Sequence, residues 1–324
     1  MKTRAATAAA LLSFLASESH TSTPQPFDQP VREVELVVRY EIRPRGPLRR
    51  IVLRQSSPRD IHHRQRVIER SFSRAPSAEF EAEGESYAEF LFEDLSGPVS
   101  FEARYLVRLE RDGLAKARVR LREGERAVAA GAEGKGGAAG AGGAAGTGRL
   151  SLFSLPEPYI ESDAQEIVGL AQRMRRPADT ETLHDLHQFV IRRLAYHGYN
   201  PDSVGATETL RRGGGDCTEY ADLFVALARA SGFPARVLTG VTVEDADTVK
   251  HNWAEVWIED FGWVPFDPLH AQRLPSTNFE VLDNKYIVLS HTRTDARLNG
   301  FSFYSYEYLG ARPEVVERYE FRER

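Results

Sequence analysis

The run from Ala127 to Gly148 is almost entirely glycine and alanine and includes the string GGAAGAGGAAGTG. Such a stretch has almost no side-chain surface to bury and loses much backbone freedom on ordering, so it belongs to no core. It reads as a flexible linker over 127–148, separating a region of 31–126 from a region of 150–324. The hydrophobic patterns on its two sides differ in kind.

Upstream, Val34, Leu36, Val38, Tyr40 and Ile42 alternate with polar residues, and Val99, Phe101, Ala103, Tyr105, Val107 and Leu109 do the same. Alternation of period two marks half-buried strands. Ile51 to Leu53 and Tyr87 to Phe92 are also strand-like, and turn residues stand at Pro44–Pro47 and Ser96–Pro98. A small antiparallel all-β sandwich over 31–126 is the simplest account.

Downstream, helices come first. Ser162 and Thr180 stand where helix caps belong, and Leu183, Leu186, Phe189, Val190 and Leu194 form an apolar face. A short helix near 207–212 leads to Gly213, Gly214 and Gly215. From residue 235 the pattern turns to strands, at Ala235–Val243, His251–Glu259, Trp263–Asp267, Tyr286–Leu289 and Phe301–Tyr308. Helices followed by strands predict an α+β fold with segregated layers.

Hydrophobic residues make up 41% of the 324 residues and charged residues 27%, with a net charge of -5. That composition is globular, and it lacks the clustered basic surface of a nucleic-acid binder. No segment approaches the roughly 20 apolar residues of a membrane span. Lys2 and Arg4 precede an uncharged Ala/Leu-rich stretch, Ala5–Ala16. This layout predicts a secretory signal over 1–22 and export to a periplasmic or extracellular compartment, the alternative being a cytoplasmic protein with a disordered N-terminus.

Cys217 is the one cysteine, so no disulfide forms within the chain. In GGGDCTEYADLFVALARASG, Tyr220, Leu223, Phe224 and Leu227 form one apolar helical stripe that Gly232 ends. Asp216 occupies the N-cap position with Glu219 three residues later, a capping box, which makes Cys217 the first helical residue. A helix N-terminus favours a thiolate and leaves backbone N–H groups free to hold an oxyanion. The three preceding glycines allow a sharp turn and leave room for a substrate.

A thiol nucleophile needs a base and an orienting acid. His251 opens the strand HNWAEVWIE, and Asp267 follows in WVPFDP. A hairpin turn centred on Glu259 pairs the two directly. One centred near Phe261 sets Asp267 opposite Glu255, roughly 13 Å along the strand from His251. The sequence leaves both registers open.

The strings GDCTEYADLFVALARASGFPARVLTGV and HNWAEVWIEDFGWVPFDP resemble the transglutaminase-like core of the papain-like cysteine protease superfamily, over about residues 180–270. The resemblance implies a catalytic set of Cys217, His251 and Asp267 acting on protein or peptide amides without metal or organic cofactor. Likeness to bacterial members favours hydrolysis over transamidation. No calcium-loop spacing appears. The competing expectation is a catalytically idle core used for binding or envelope assembly.

Among other residues, Asp216 and Glu219 are expected as caps and Tyr220 as core. Trp253, Trp257 and Trp263 are expected to pack around the hairpin, and His184 and His187 to be exposed on their helix rather than to bind metal. His62 and His63 lie in a basic loop.

Overall fold

The computed structural model describes residues 31–129, 150–243, 249–274 and 276–324. The predicted secretory signal over 1–22 and most of the glycine/alanine run lie outside the described residues.

Six strands come first: β1 (Arg32–Pro44), β2 (Leu48–Ser57), β3 (Gln65–Phe72), β4 (Ala78–Ala82), β5 (Glu85–Leu95) and β6 (Val99–Leu109). Helix α1 (Leu114–Ala129) follows and extends into the first residues expected as linker. The second half contains α2 (Gln165–Met174), α3 (Asp179–Arg193), β7 (Ala195–Tyr196), α4 (Ala206–Arg212), β8 (Gly214–Gly215), α5 (Cys217–Ala230), β9 (Ala235–Thr242), β10 (Lys250–Ile258) and β11 (Gly262–Phe266). It ends with α6 (Pro268–Arg273), β12 (Tyr286–Ser290), β13 (Tyr304–Gly310) and β14 (Pro313–Glu323).

The alternating residues of β1, β2, β5 and β6 face one another as predicted. Two four-stranded antiparallel sheets, ordered β14-β1-β6-β3 and β13-β2-β5-β4, enclose a shared core of Leu36, Tyr40, Ile51, Leu53, Phe90, Phe101 and Tyr105. The strand expected at 301–308 is present as β13, but its partner is β2 in the upstream sheet. Strand β14 pairs along the length of β1. The end of the chain thus completes the sandwich, so the sheets do not divide at the expected 126/150 boundary. Such pairing joins residues nearly a chain length apart, and alternation alone does not name a strand's partner.

The third sheet, β11-β10-β9-β12, is layered against helices. Ala235, Val237, Ala254, Val256, Val264 and Phe266 meet α2, α3 and α5 in one core. Toward the end of β9 and along β12, Val241, Val243, Ile287 and Leu289 join the sandwich core instead. Helices α2 and α3 start at Gln165 and Asp179 without side-chain caps, so Ser162 and Thr180 do not cap them. No helix among the described residues is long and apolar enough to cross a membrane.

Candidate active site

Helix α5 begins as its sequence dictates. Asp216 Oδ1 accepts from Thr218 N at 2.7 Å, and Glu219 Oε2 accepts from Asp216 N at 2.9 Å, closing the capping box. Asp216 Oδ2 also accepts from Asn200 N at 2.9 Å, which ties the loop before α4 to the helix start. Cys217 is the first residue of the helix and is partly exposed. The glycines serve a different purpose from the one expected. A Cβ on Gly214 would lie 2.5 Å from Ala195 O and 2.4 Å from the His197 ring, and one on Gly215 would lie 2.5 Å from Glu219 Cβ. That space is filled by the protein itself, and only Gly213, at φ 72°, needs a left-handed backbone.

The hairpin takes neither register weighed from sequence. Ala254 pairs with Phe266, Val256 with Val264 and Ile258 with Gly262, centring the turn on Asp260, where φ is 68°. Continued by one residue, this register sets Asp267 opposite Trp253, and so on the same face as His251 and diagonal to it. The distance closes without a bulge: His251 Nε2 lies 2.6 Å from Asp267 Oδ2. Asp267 is also the N-cap of α6, its Oδ1 accepting from His270 N at 2.9 Å.

Helix α5 packs on β10, and the two are joined at the site by Asn252, whose Nδ2 donates to Thr218 Oγ1 at 3.0 Å. The Asn252 Oδ1 accepts from Thr239 Oγ1 at 2.7 Å, extending the tie to β9. Burial alone would lower the His251 pKa, but the charge and hydrogen bond of Asp267, with a smaller pull from Cys217, raise it to about 10. Asp267 is held far below the usual carboxylate range: burial opposes this, and His270 and His251 outweigh it.

His251, Asp267 and His270 bring three ligand-type atoms within 4.8 Å of one another. The 2.6 Å separation between His251 Nε2 and Asp267 Oδ2 is a hydrogen-bond distance. Two ligands about 2.1 Å from one tetrahedral metal lie roughly 3.4 Å apart, so the group is arranged for proton sharing rather than for zinc.

Tyr220 is buried in the core as expected, and Trp253 is fully buried beside Tyr286. Trp257 and Trp263 meet edge to face across the hairpin, with Arg236 over Trp263. His184 is half-exposed, but His187 is fully buried among Phe224, Phe266 and Phe279, which corrects its expected exposure. The apolar stripe of α3 is wider than its sequence pattern implied and includes His187. Sequence reasoning also missed His270 and Tyr286, which sit against the His251–Asp267 pair; no local pattern marks them. It likewise missed Arg293, which grips Asp222 of α5 through Nε at 2.8 Å and Nη2 at 3.0 Å.

Residues 168–268 match the family described as the transglutaminase-like superfamily. A protein of Mycobacterium tuberculosis strain H37Rv is 29% identical over 153 residues, 43% of this chain and 46% of the relative. A protein of Haemophilus influenzae is 28% identical over 93 residues, 22% of this chain and 25% of its own. The chain thus spans less than half the length of these curated relatives. Among solved structures, a candidate cysteine protease of Cytophaga hutchinsonii superposes with a TM-score of 0.61 at 16% identity, covering 91% of each chain. The periplasmic domain of TgpA from Pseudomonas aeruginosa gives 0.34 at 16% identity, over 75% of this chain and 92% of that one.

Proposed function

We propose that this chain, whose residues 168–268 belong to the transglutaminase-like superfamily, is a thiol enzyme that cleaves amides of proteins or peptides through Cys217, His251 and Asp267. The carrying observation is the 2.6 Å contact between His251 and Asp267, set beside the capped helix start that bears Cys217. Cys217 Sγ, its proton passed to His251, attacks the amide carbonyl carbon. The oxyanion is met by the backbone N–H of Cys217 at the start of α5, which has no acceptor within the helix. His251 then gives its proton to the departing amine nitrogen, leaving a thioester on Cys217. Water adds to the thioester while His251 takes one of its protons, and collapse releases a carboxylic acid and the free thiol. An amine in place of water would give transamidation.

Asp267 keeps the Nε2 proton of His251 in place, so that Nδ1 is the nitrogen left to exchange a proton with the thiol and substrate. Nδ1 is buried and has no hydrogen-bond partner among the described residues. The His251 pKa of about 10 leaves the ring protonated at neutral pH, ready as the acid.

The test is iodoacetamide alkylation of the single cysteine across pH. Rapid alkylation below pH 7, lost in His251→Ala, is the expected result; equal, ordinary thiol behaviour in both proteins would remove the proposal. A glutamine-containing protein, supplied with and without a labelled primary amine, then separates cleavage from amine incorporation.

A further inference from the structure

Behind the His251–Asp267 pair lies a second pair that the proposed reaction does not use. Tyr286, from the far edge strand β12, donates its hydroxyl to Asp267 Oδ2 at 2.8 Å. His270 Nδ1 lies 2.5 Å from the same hydroxyl and 3.1 Å from Asp267 Oδ2. The His270 ring covers the His251 ring at 4.0 Å and 8°. All four residues are at least 98% buried.

The direction of these hydrogen bonds follows from counting protons. Asp267 is ionised and only accepts, so the Tyr286 proton points at Oδ2. The oxygen of Tyr286 must then accept from His270, whose proton therefore sits on Nδ1. Burial first, and then the charge of Asp267, raise the Tyr286 pKa well above its ordinary value, so the hydroxyl remains a donor at any working pH. Oδ2 thus receives Tyr286 as well as His251, and Oδ1 receives the His270 backbone N–H. A carboxylate held at both oxygens cannot turn about its Cβ–Cγ bond, and the stacked His270 ring prevents His251 from tilting.

We propose that Tyr286 is a positioning residue for the reaction, acting through Asp267, and that His270 holds Tyr286 in place while fixing the plane of His251. This rests on the catalytic reading of Cys217, His251 and Asp267. Other titratable groups that act on or face this cluster are Cys217 on His251, His187 on the Asp267 side, and Asp283 and Lys285 on Tyr286.

The experiment measures the alkylation rate of Cys217 between pH 5 and 9 in wild type, His251→Ala and Tyr286→Phe, with unfolding followed by circular dichroism. Hydrogen bonds to charged groups are worth enough to predict about a tenfold lower rate at pH 6 in Tyr286→Phe, with a folded far-UV spectrum. A profile superimposable on wild type, or a faster one, overturns the proposal. If wild type itself behaves like His251→Ala, the catalytic reading fails and takes this inference with it. That result is distinct from a sharp difference between wild type and His251→Ala with Tyr286→Phe unchanged, which defeats the positioning role alone. Should Tyr286→Phe not fold, His270→Gln and His270→Leu replace it. Gln keeps an amide within reach of the Tyr286 hydroxyl and is expected to retain most of the low-pH rate, whereas Leu is expected to lose it. A wild-type profile in His270→Leu overturns the proposal.

Discussion

Two buried histidines near the site have pKa values displaced in opposite directions, and pH separates their effects on stability. His251 is raised to about 10 against the coil value near 6.5. The folded protein therefore holds that proton more tightly, and the resulting stability is complete below pH 6.5 and is lost as pH climbs toward 10. His187 is lowered to about 4, chiefly by burial, despite a partial pull from Asp267. Its contribution is complete above pH 6.5 and is lost as pH falls toward 4. The measurement is the difference in urea-unfolding free energy between wild type and each variant, because Glu219, raised to about 7 by burial and by Asp216, titrates in the acid window with the opposite sign. His251→Gln is expected to remove a slope of about 1.4 kcal/mol per pH unit between pH 7 and 9. His187→Leu is expected to flatten a similar slope between pH 4.5 and 6. Parallel curves for wild type and variant would show that the ring in question does not titrate differently on unfolding.

At the scale of elements, what could be read in advance was whatever a short segment determines by itself. Helix α5 was legible because its stripe, its capping box and its closing glycine all lie within one stretch of sequence. The contact between His251 and Asp267 was not, because the register turns on one backbone angle at Asp260, where a three-residue loop closes on Gly262. His270 and Tyr286 were invisible for the same reason: each reaches the site from its own element, α6 and β12, and neither belongs to a patterned motif. Two predictions belong here. Asp216→Ala removes the acceptor of Thr218 N and Asn200 N, and should destabilise the protein by about 1–2 kcal/mol in chemical denaturation. Its alkylation profile should also change, since the first turn of α5 frays; a profile and midpoint equal to wild type would show that the cap does not set this helix start. Gly240 stands opposite His251, and a Cβ there would lie 2.0 Å from Ile287 O and 2.9 Å from the Trp253 ring. Gly240→Ala must part β9 from β12, which carries Tyr286. A loss of about 1–3 kcal/mol is expected, and a stable, fully reactive variant would contradict the close approach of these strands.

Across the whole molecule, the sandwich and the site-bearing sheet share packing, which predicts that they unfold together. Val241 and Ile287 of the third sheet lie in the same apolar core as Leu36 and Phe90 of the sandwich. Charged side chains cross the same junction. Arg64, from the loop before β3, is 5% exposed and reaches Asp112 through Nε at 2.8 Å and Glu255 of β10 through Nη2 at 2.6 Å. Arg236 of β9 holds the other oxygen of Glu255 at 2.7 Å. Burial opposes ionisation of Glu255, and Arg64 and Arg236 together overcome it and lower its pKa to about 2. A second tie joins β10 to the end of the chain, where Lys250 meets Glu317 at 2.5 Å and lies over the rings of Phe303 and Tyr319. Removing Arg64 strands one buried carboxylate oxygen of Glu255 in a place that water cannot reach, a loss of about 3–5 kcal/mol for a broken buried pair. Because the junction also shares a hydrophobic core, Arg64→Met should lower the stability of both halves together. Calorimetry is expected to show one transition displaced downward, with tryptophan fluorescence, which reports the β10–β11 hairpin, moving in step with the infrared amide I band of β-strands, most of whose residues lie in the sandwich. Two separated transitions, or a fluorescence midpoint that stays at the wild-type value while the strand signal falls, would mean that the sandwich and the site fold apart.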